Sequence, residues 1–192
     1  MVREGKDSKN IDVRCKFYYL NRWFSGMDIK WLIQNNDDDL DLAIDYLEKT
    51  IFVDEFLADN FFQVLKYLEV YSVRENKLVD ESNYPVKTPI EVSLRTRTGM
   101  LQRSEIVKEL FHHKYSYEIR LDNPFEHFRI VFFAYNSSED TTALTFGFTK
   151  DGRFSSDKTR QAAAESDDIC CKVCSGEEDF WIGEGKLNEF YQ

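Results

Sequence analysis

The sequence predicts an α+β fold: an antiparallel sheet, built from a three-stranded meander and an N-terminal strand, packed on two N-terminal helices, with a further helix after the meander. Three observations predict it. Tyr115–Leu121, Phe128–Tyr135 and Thr141–Thr149 are consecutive β-rich runs separated by short turn-forming segments. An apolar stripe of Phe56, Leu57, Phe61, Val64, Leu65 and Leu68 recurs at helical spacing. The aromatic content of 15%, with 16 Phe and 10 Tyr, supplies a core that a disordered chain would lack.

Taken in order, residues 1–12 read as a disordered tail. Val13–Leu20 is rich in β-formers and reads as the first strand. Trp23–Gln34 fits either a loop or a short helix. Asp37, Asp38 and Asp39 place negative charge where a helix begins, and Leu40, Ala43, Ile44 and Leu47 continue it, predicting a helix over 39–50. Asp54 is a natural N-cap for the next helix, through Glu69. Residues 74–89, polar with two prolines, read as a loop or hinge. Ile90–Leu94 fits a short strand. Ser104 opens a short predicted helix with Ile106, Val107 and Leu110 on one face. Ser156–Ser166 predicts the helix after the meander. The domain is expected over 13–168, with an insertion near 72–111, and residues 169–192 form an acidic, aromatic extension.

The chain carries a net charge of −10, which argues against nucleic acid, but the charge is segregated. Residues 1–83 hold 11 basic and 17 acidic side chains, and residues 162–192 hold 2 and 8. Residues 84–161 hold 12 and 10, together with all three histidines. An anionic ligand is therefore to be sought in the middle. Arg120 ends the first strand of the meander and Arg129 starts the second, so a tight connection makes them neighbours. Lys150 and Arg153 follow the third strand, Lys158 and Arg160 sit on the next helix, and His112, His113, Lys114 and His127 are candidates to join them. Such cations can hold a phosphate and offset charge that develops during cleavage, and a histidine can exchange the proton. A solvated sheet edge explains the same residues.

The segments YSYEIRL (115–121), EHFRIVFFAY (126–135) and LTFGFTKDG (144–152), followed by the alanine-bearing helix around Gln161–Ala164, resemble the RelE/ParE toxin superfamily, in particular its HigB-like branch. DEFLADNFFQVLKYLE (54–69) is similar to the second helix of that family. The resemblance implies an endoribonuclease of a toxin–antitoxin system that cleaves messenger RNA at the ribosome and is neutralised by an antitoxin protein. It implies Arg120, Arg129 and Lys150 as phosphate-facing catalytic residues and His127 as acid/base; His112, His113, Lys114, Arg153 and Lys158, candidates from their charge and position, are then expected as RNA contacts. The alternative is a non-catalytic binding or accessory protein on the same fold. Electrostatics separates the two, because a nuclease needs Arg120, Arg129 and Lys150 in one contiguous exposed patch, and the nuclease reading fails if they are scattered or if acidic side chains neutralise each one.

Other chemistries find little support. Gly147, Gly152 and Gly176 lack phosphate-loop spacing, and no zinc-protease, nucleophile-elbow or EF-hand pattern occurs. Cys171 and Cys174 form a C-x2-C, but a structural zinc site needs four ligands. No metal or cofactor is expected. No run reaches the about 20 apolar residues of a membrane span, and the polar N-terminus is unlike a secretory signal, so the cytoplasm is the expected location. Ser175–Gln192 carries Phe180, Trp181, Ile182, Leu187, Phe190 and Tyr191, too many large apolar groups for a free acidic tail. It is expected to dock, either as one more strand or helix, or across the basic middle as a built-in shield.

Overall fold

The computed structural model describes residues 28–32, 39–123, 125–136, 140–150, 157–177 and 181–182. The expected strand over 13–20, the tail 1–12 and Arg153 lie outside these residues. The chain is α+β, with a mostly antiparallel mixed sheet and three helices.

The meander holds, but as the middle of a much larger sheet. Its strands are β7 (Ser116–Asp122), β8 (His127–Asn136) and β9 (Asp140–Lys150), each antiparallel to the next. On one side the sheet continues into β6 (Leu101–Glu109) and β5 (Ile90–Arg95). On the other, β1 (Asp28–Leu32) runs parallel to the first half of β9, and the two-residue β2 (Asp41–Leu42) pairs with Phe146 and Gly147 further along. Trp181–Ile182, the last strand (β10), pairs antiparallel to β1 and forms the edge. This part of the extension thus adds a strand at the opposite edge from β5.

Three expectations need correction. The segment from Ser104 is strand β6, not a helix. Ile106 and Val107 are both fully buried because a β-bulge sets two residues of β6 against one of β5, which imitates a helical face in sequence. The helix expected over 39–50 begins only at Ala43, since Asp41 and Leu42 are drawn into the sheet. It runs as α1 (Ala43–Tyr46) and continues with π-type bonding through Ile51. Within 74–89, the hairpin β3 (Ser72–Arg74) and β4 (Lys77–Val79) turns through Glu75 and Asn76, both at positive φ. A Glu-Asn turn lacks the glycine that usually announces this geometry. In the ambiguous stretch 23–34, residues 28–32 form strand β1.

Helix α2 (Glu55–Leu68) matches its sequence signal. Asp54 Oδ1 accepts from Phe56 N at 3.0 Å and from Leu57 N at 3.3 Å, satisfying two of the helix's free amides. Its stripe of Leu57, Phe61, Val64, Leu65 and Leu68 is buried. Helix α3 (Asp157–Cys174) extends well past Ser166.

The sheet divides two cores. Alternate residues of β7 and β8 (Tyr117, Ile119, Leu121; Phe128, Ile130, Phe132) pack under α1, α2 and the β3–β4 hairpin. The intervening Val131, Phe133 and Tyr135, with Phe146 and Phe148, pack under α3. That explains why β8 and β9 read as nearly continuous apolar runs: both faces are covered. A bulge opposite Val131 and Phe132 leaves Thr145 unpaired in the ladder, with its hydroxyl 3.0 Å from Val131 O and 3.2 Å from Ser166 Oγ. Among the described residues, no helix is long and apolar enough to cross a membrane.

Candidate functional site

The alternation that fills the α3-side core runs out at one end of the sheet. There β7 presents Glu118, Arg120 and Asp122 on one face, and β8 presents His127 and Arg129 on the same face. The register sets Arg120 opposite Arg129, Asp122 opposite His127, and His127 opposite Lys150 of β9. The bulge at Ile106 swings Glu105 of β6 toward Arg120. Together these strands line an open cleft of about 770 Å³ that holds Glu105, Arg120, Asp122, His127, Arg129 and Lys150. The four residues expected to be catalytic are therefore brought to one place.

The cleft is not simply cationic. Arg129 is 2% exposed and Glu118 3%, and Glu118 Oε2 lies 3.7 Å from Arg129 Nε. Glu118 Oε1 is 3.3 Å from Arg120 Nε, and Arg120 also pairs with Glu105. Arg129 Nη1 donates to Asp122 Oδ1 at 2.5 Å and to Phe128 O at 2.8 Å. Four cations line the cleft: Arg103 pairs with Glu91, and Arg120, Arg129 and Lys150 face three carboxylates, Glu105, Glu118 and Asp122. The contiguous patch exists, but the guanidiniums of Arg120 and Arg129 are compensated within it, and Arg129 is interior. Among the described residues, Glu118 Oε2, Arg120 Nε and Arg129 Nε have no hydrogen-bond partner, so ionic attraction rather than hydrogen bonding links them.

Two groups stay available. His127 Nδ1 lies 3.0 Å from Asp122 Oδ1, which fixes the ring and leaves Nε2 for a ligand. Lys150, half-buried beside it, makes no ion pair with a described residue. Burial lowers its pKa from the ordinary 10.5, and Arg129, Arg120 and Lys108 act the same way, against an opposing pull from Glu118. Burial presses the Asp122 carboxyl upward, but hydrogen bonds from Arg129 and His127 more than offset it, so its pKa falls below the usual 3.8.

The other expected RNA contacts sit elsewhere. His112, at φ 72°, and His113 occupy the β6–β7 turn. His113 Nδ1 is 3.8 Å from Asp167 Oδ2, and Lys114 N donates to the same oxygen at 2.6 Å. This cluster caps the start of β7 against α3, about 20 Å along the strand from Arg120 at 3.3 Å per residue. Lys158 is exposed on the first turn of α3 and does not line the cleft. The residues that sequence reasoning missed are the carboxylates. Glu118, Arg120 and Asp122 stand at i, i+2 and i+4 of one strand, a signal that was present in the alternation.

Among the described residues, no group of histidine, cysteine or acidic side chains is placed to hold a metal ion. Cys170 is buried, and Cys171 and Cys174 are exposed free thiols. The chain is an α+β protein with a cleft of largely ion-paired acidic and basic side chains at one end of its sheet. No family model, curated protein or solved structure matches the chain.

Proposed function

We propose that the cleft binds and cleaves a phosphodiester of RNA, making the chain a toxin-type endoribonuclease that an antitoxin partner would neutralise. The observation that carries the reading is the 3.0 Å Asp122–His127 contact inside a cleft that also holds Arg120, Arg129 and Lys150. The helices at 43–51 and 55–68, the meander and the final helix follow the order the RelE/ParE resemblance implies; its first strand, expected over 13–20, lies outside the described residues, and β1–β6 and β10 are no part of it. In this reading His127, oriented by Asp122, takes the proton of a ribose 2′-hydroxyl as that oxygen attacks phosphorus. The P–O5′ bond breaks, and the departing oxygen receives a proton from Lys150, whose lowered pKa suits it to give one up. Arg120 faces the negative charge that develops on the phosphoryl oxygens. Arg129 orients Asp122 and is a positioning residue.

A second reading keeps the cleft as a non-catalytic binding site. The pairing of both arginines with Glu105, Glu118 and Asp122 favours it, because a compensated site attracts a polyanion weakly. The two part on turnover. Purified protein is incubated with single-stranded RNA, and wild type is compared with His127→Gln and Lys150→Met, both at partly exposed positions that leave the ion-paired interior intact. The nuclease reading expects cyclic-phosphate ends from wild type and a rate loss of about 10²-fold or more in each variant. Equal cleavage by all three, or none by wild type, overturns it.

A further inference from the structure

Beside the charged cleft, a second concavity of about 520 Å³ opens between the start of α2, the β5–β6 turn and the β7–β8 turn. Gln102, Ser104, Arg120, Asp122 and Asn123 line both, so one runs directly into the other. Its character is different, with Phe56, Leu57, Leu94, Met100, Leu121 and Phe125 on its walls. Phe125 is 91% exposed and Met100 68%, a large apolar surface with nothing packed on it among the described residues. Phe125 is not on a loose tip: Asn123 Oδ1 accepts from Phe125 N at 2.8 Å and from Glu126 N at 2.7 Å. That Asx turn holds the backbone from which the ring projects.

The floor of the groove holds one polar anomaly. Asn60 is the single polar residue on the buried face of α2; it is 8% exposed and lines the groove. Its side-chain amide makes no hydrogen bond to any described residue. Its polar atoms are not among the buried unpartnered atoms of the described residues, so the amide opens onto the groove rather than into the core. A ligand that completes it needs both a donor and an acceptor at one edge, and a flat apolar face to lie on Phe125. It must also be attached to an anion in the adjoining cleft.

We propose that this groove is a nucleobase subsite, where the base of the bound nucleotide stacks on Phe125 while the Asn60 amide reads its hydrogen-bonding edge. An amide side chain offers a paired donor and acceptor matched to a base edge, and aromatic side chains stack on any base. An apolar peptide would leave Asn60 unmet, and a free phosphate would leave the groove empty. The inference rests on the phosphodiester reading of the neighbouring cleft, and extends it from the backbone of the RNA to its sequence.

The test is fluorescence anisotropy with labelled 2′-O-methyl RNA hexamers, which lack the attacking hydroxyl and so stay intact: the four homopolymers, a mixed sequence, and an abasic 2′-O-methylribose-phosphate hexamer. Wild type is compared with Phe125→Ala, Asn60→Ala and Lys150→Met, with thermal melts confirming that each is folded. Phe125→Ala is expected to weaken binding of the mixed hexamer at least about fivefold and to leave the abasic hexamer unchanged. Asn60→Ala is expected to flatten the affinity differences among the homopolymers, and Lys150→Met to weaken every oligomer, abasic included. If Lys150→Met weakens binding but Phe125→Ala does not, the base subsite is overturned and the cleft reading stands. If Asn60→Ala leaves the homopolymer ranking intact, the edge-reading role is overturned. If wild type binds no oligomer, both readings fall together.

Discussion

Replacing Glu118 by glutamine removes the carboxylate that two guanidiniums share inside the sheet's charged end. Glu118 Oε1 and Oε2 lie 3.3 Å from Arg120 Nε and 3.7 Å from Arg129 Nε, with the Glu118 and Arg129 side chains 4% and 3% exposed. At an effective dielectric near 20, each contact corresponds to about 4–5 kcal/mol of attraction before desolvation is subtracted. Removing one member of a buried ionic group costs about 3–5 kcal/mol in general. Here the loss belongs at the lower end, about 3 kcal/mol, because Arg129 keeps Asp122 and Phe128 O while Arg120 keeps Glu105. In a chain of this length that corresponds to a melting temperature lower by about 6–12 °C. Urea and thermal melts of Glu118→Gln, Arg129→Met and the double variant measure it. The pair is expected to show a coupling of at least about 1 kcal/mol, the double variant losing less than the sum. A loss below about 1 kcal/mol in Glu118→Gln, or strict additivity, would refute the view that a buried ionic network holds this end of the sheet.

The pH dependence follows from shifted groups. Asp122 has its carboxyl lowered from 3.8, so its stabilising contribution is full above that value and is lost as pH falls through the lower folded-state pKa; Asp122→Asn should flatten this acid limb of a stability–pH curve. Burial pushes the phenols of Tyr46 and Tyr117 up to about 12, so their contribution is full below pH 10 and lost between about 10 and 12; phenolate absorbance at 295 nm should rise for both only near 12, together with unfolding. Gly147→Ala would set a methyl 2.5 Å from Tyr46 Cβ, where α1 crosses β9, and is expected to cost about 1–3 kcal/mol in urea melts, whereas Gly147→Ala in a Tyr46→Gly background, which removes that Cβ, should cost much less.

The sequence carried the helix at 55–68 and the three meander strands because local signals and tertiary environment agree there. Asp54 caps, the 3,4 stripe is buried, and β8 is apolar throughout because both of its faces are covered. It failed where pairing partners distant in the chain decide the outcome. Asp41 and Leu42 are strand only because Phe146 and Gly147 offer a ladder, and Ile106 and Val107 share a core only through a bulge. The candidate site shows the same division. Arg120 and Arg129 were legible as neighbours from the short connection between their strands, and His127 and Lys150 joined them through the register. The compensating Glu118 and Asp122 stood in the same alternation but carry no motif. Glu105 reaches the cleft only through the bulge, and the groove beside it is assembled from α2 and two turns remote in sequence. The histidines of the β6–β7 turn, close to β7 in sequence, are separated from the cleft by the length of that strand.

In the nuclease reading, the Asp122–His127–Lys150 end of the sheet cuts RNA. Induced expression in a bacterial host of wild type against His127→Gln, scored for growth and for messenger-RNA integrity, tests it most directly. Wild type is expected to arrest growth and fragment messages, and an equally abundant His127→Gln to leave growth normal and messages intact. Intact messages with wild type, or equal fragmentation with the variant, would contradict it.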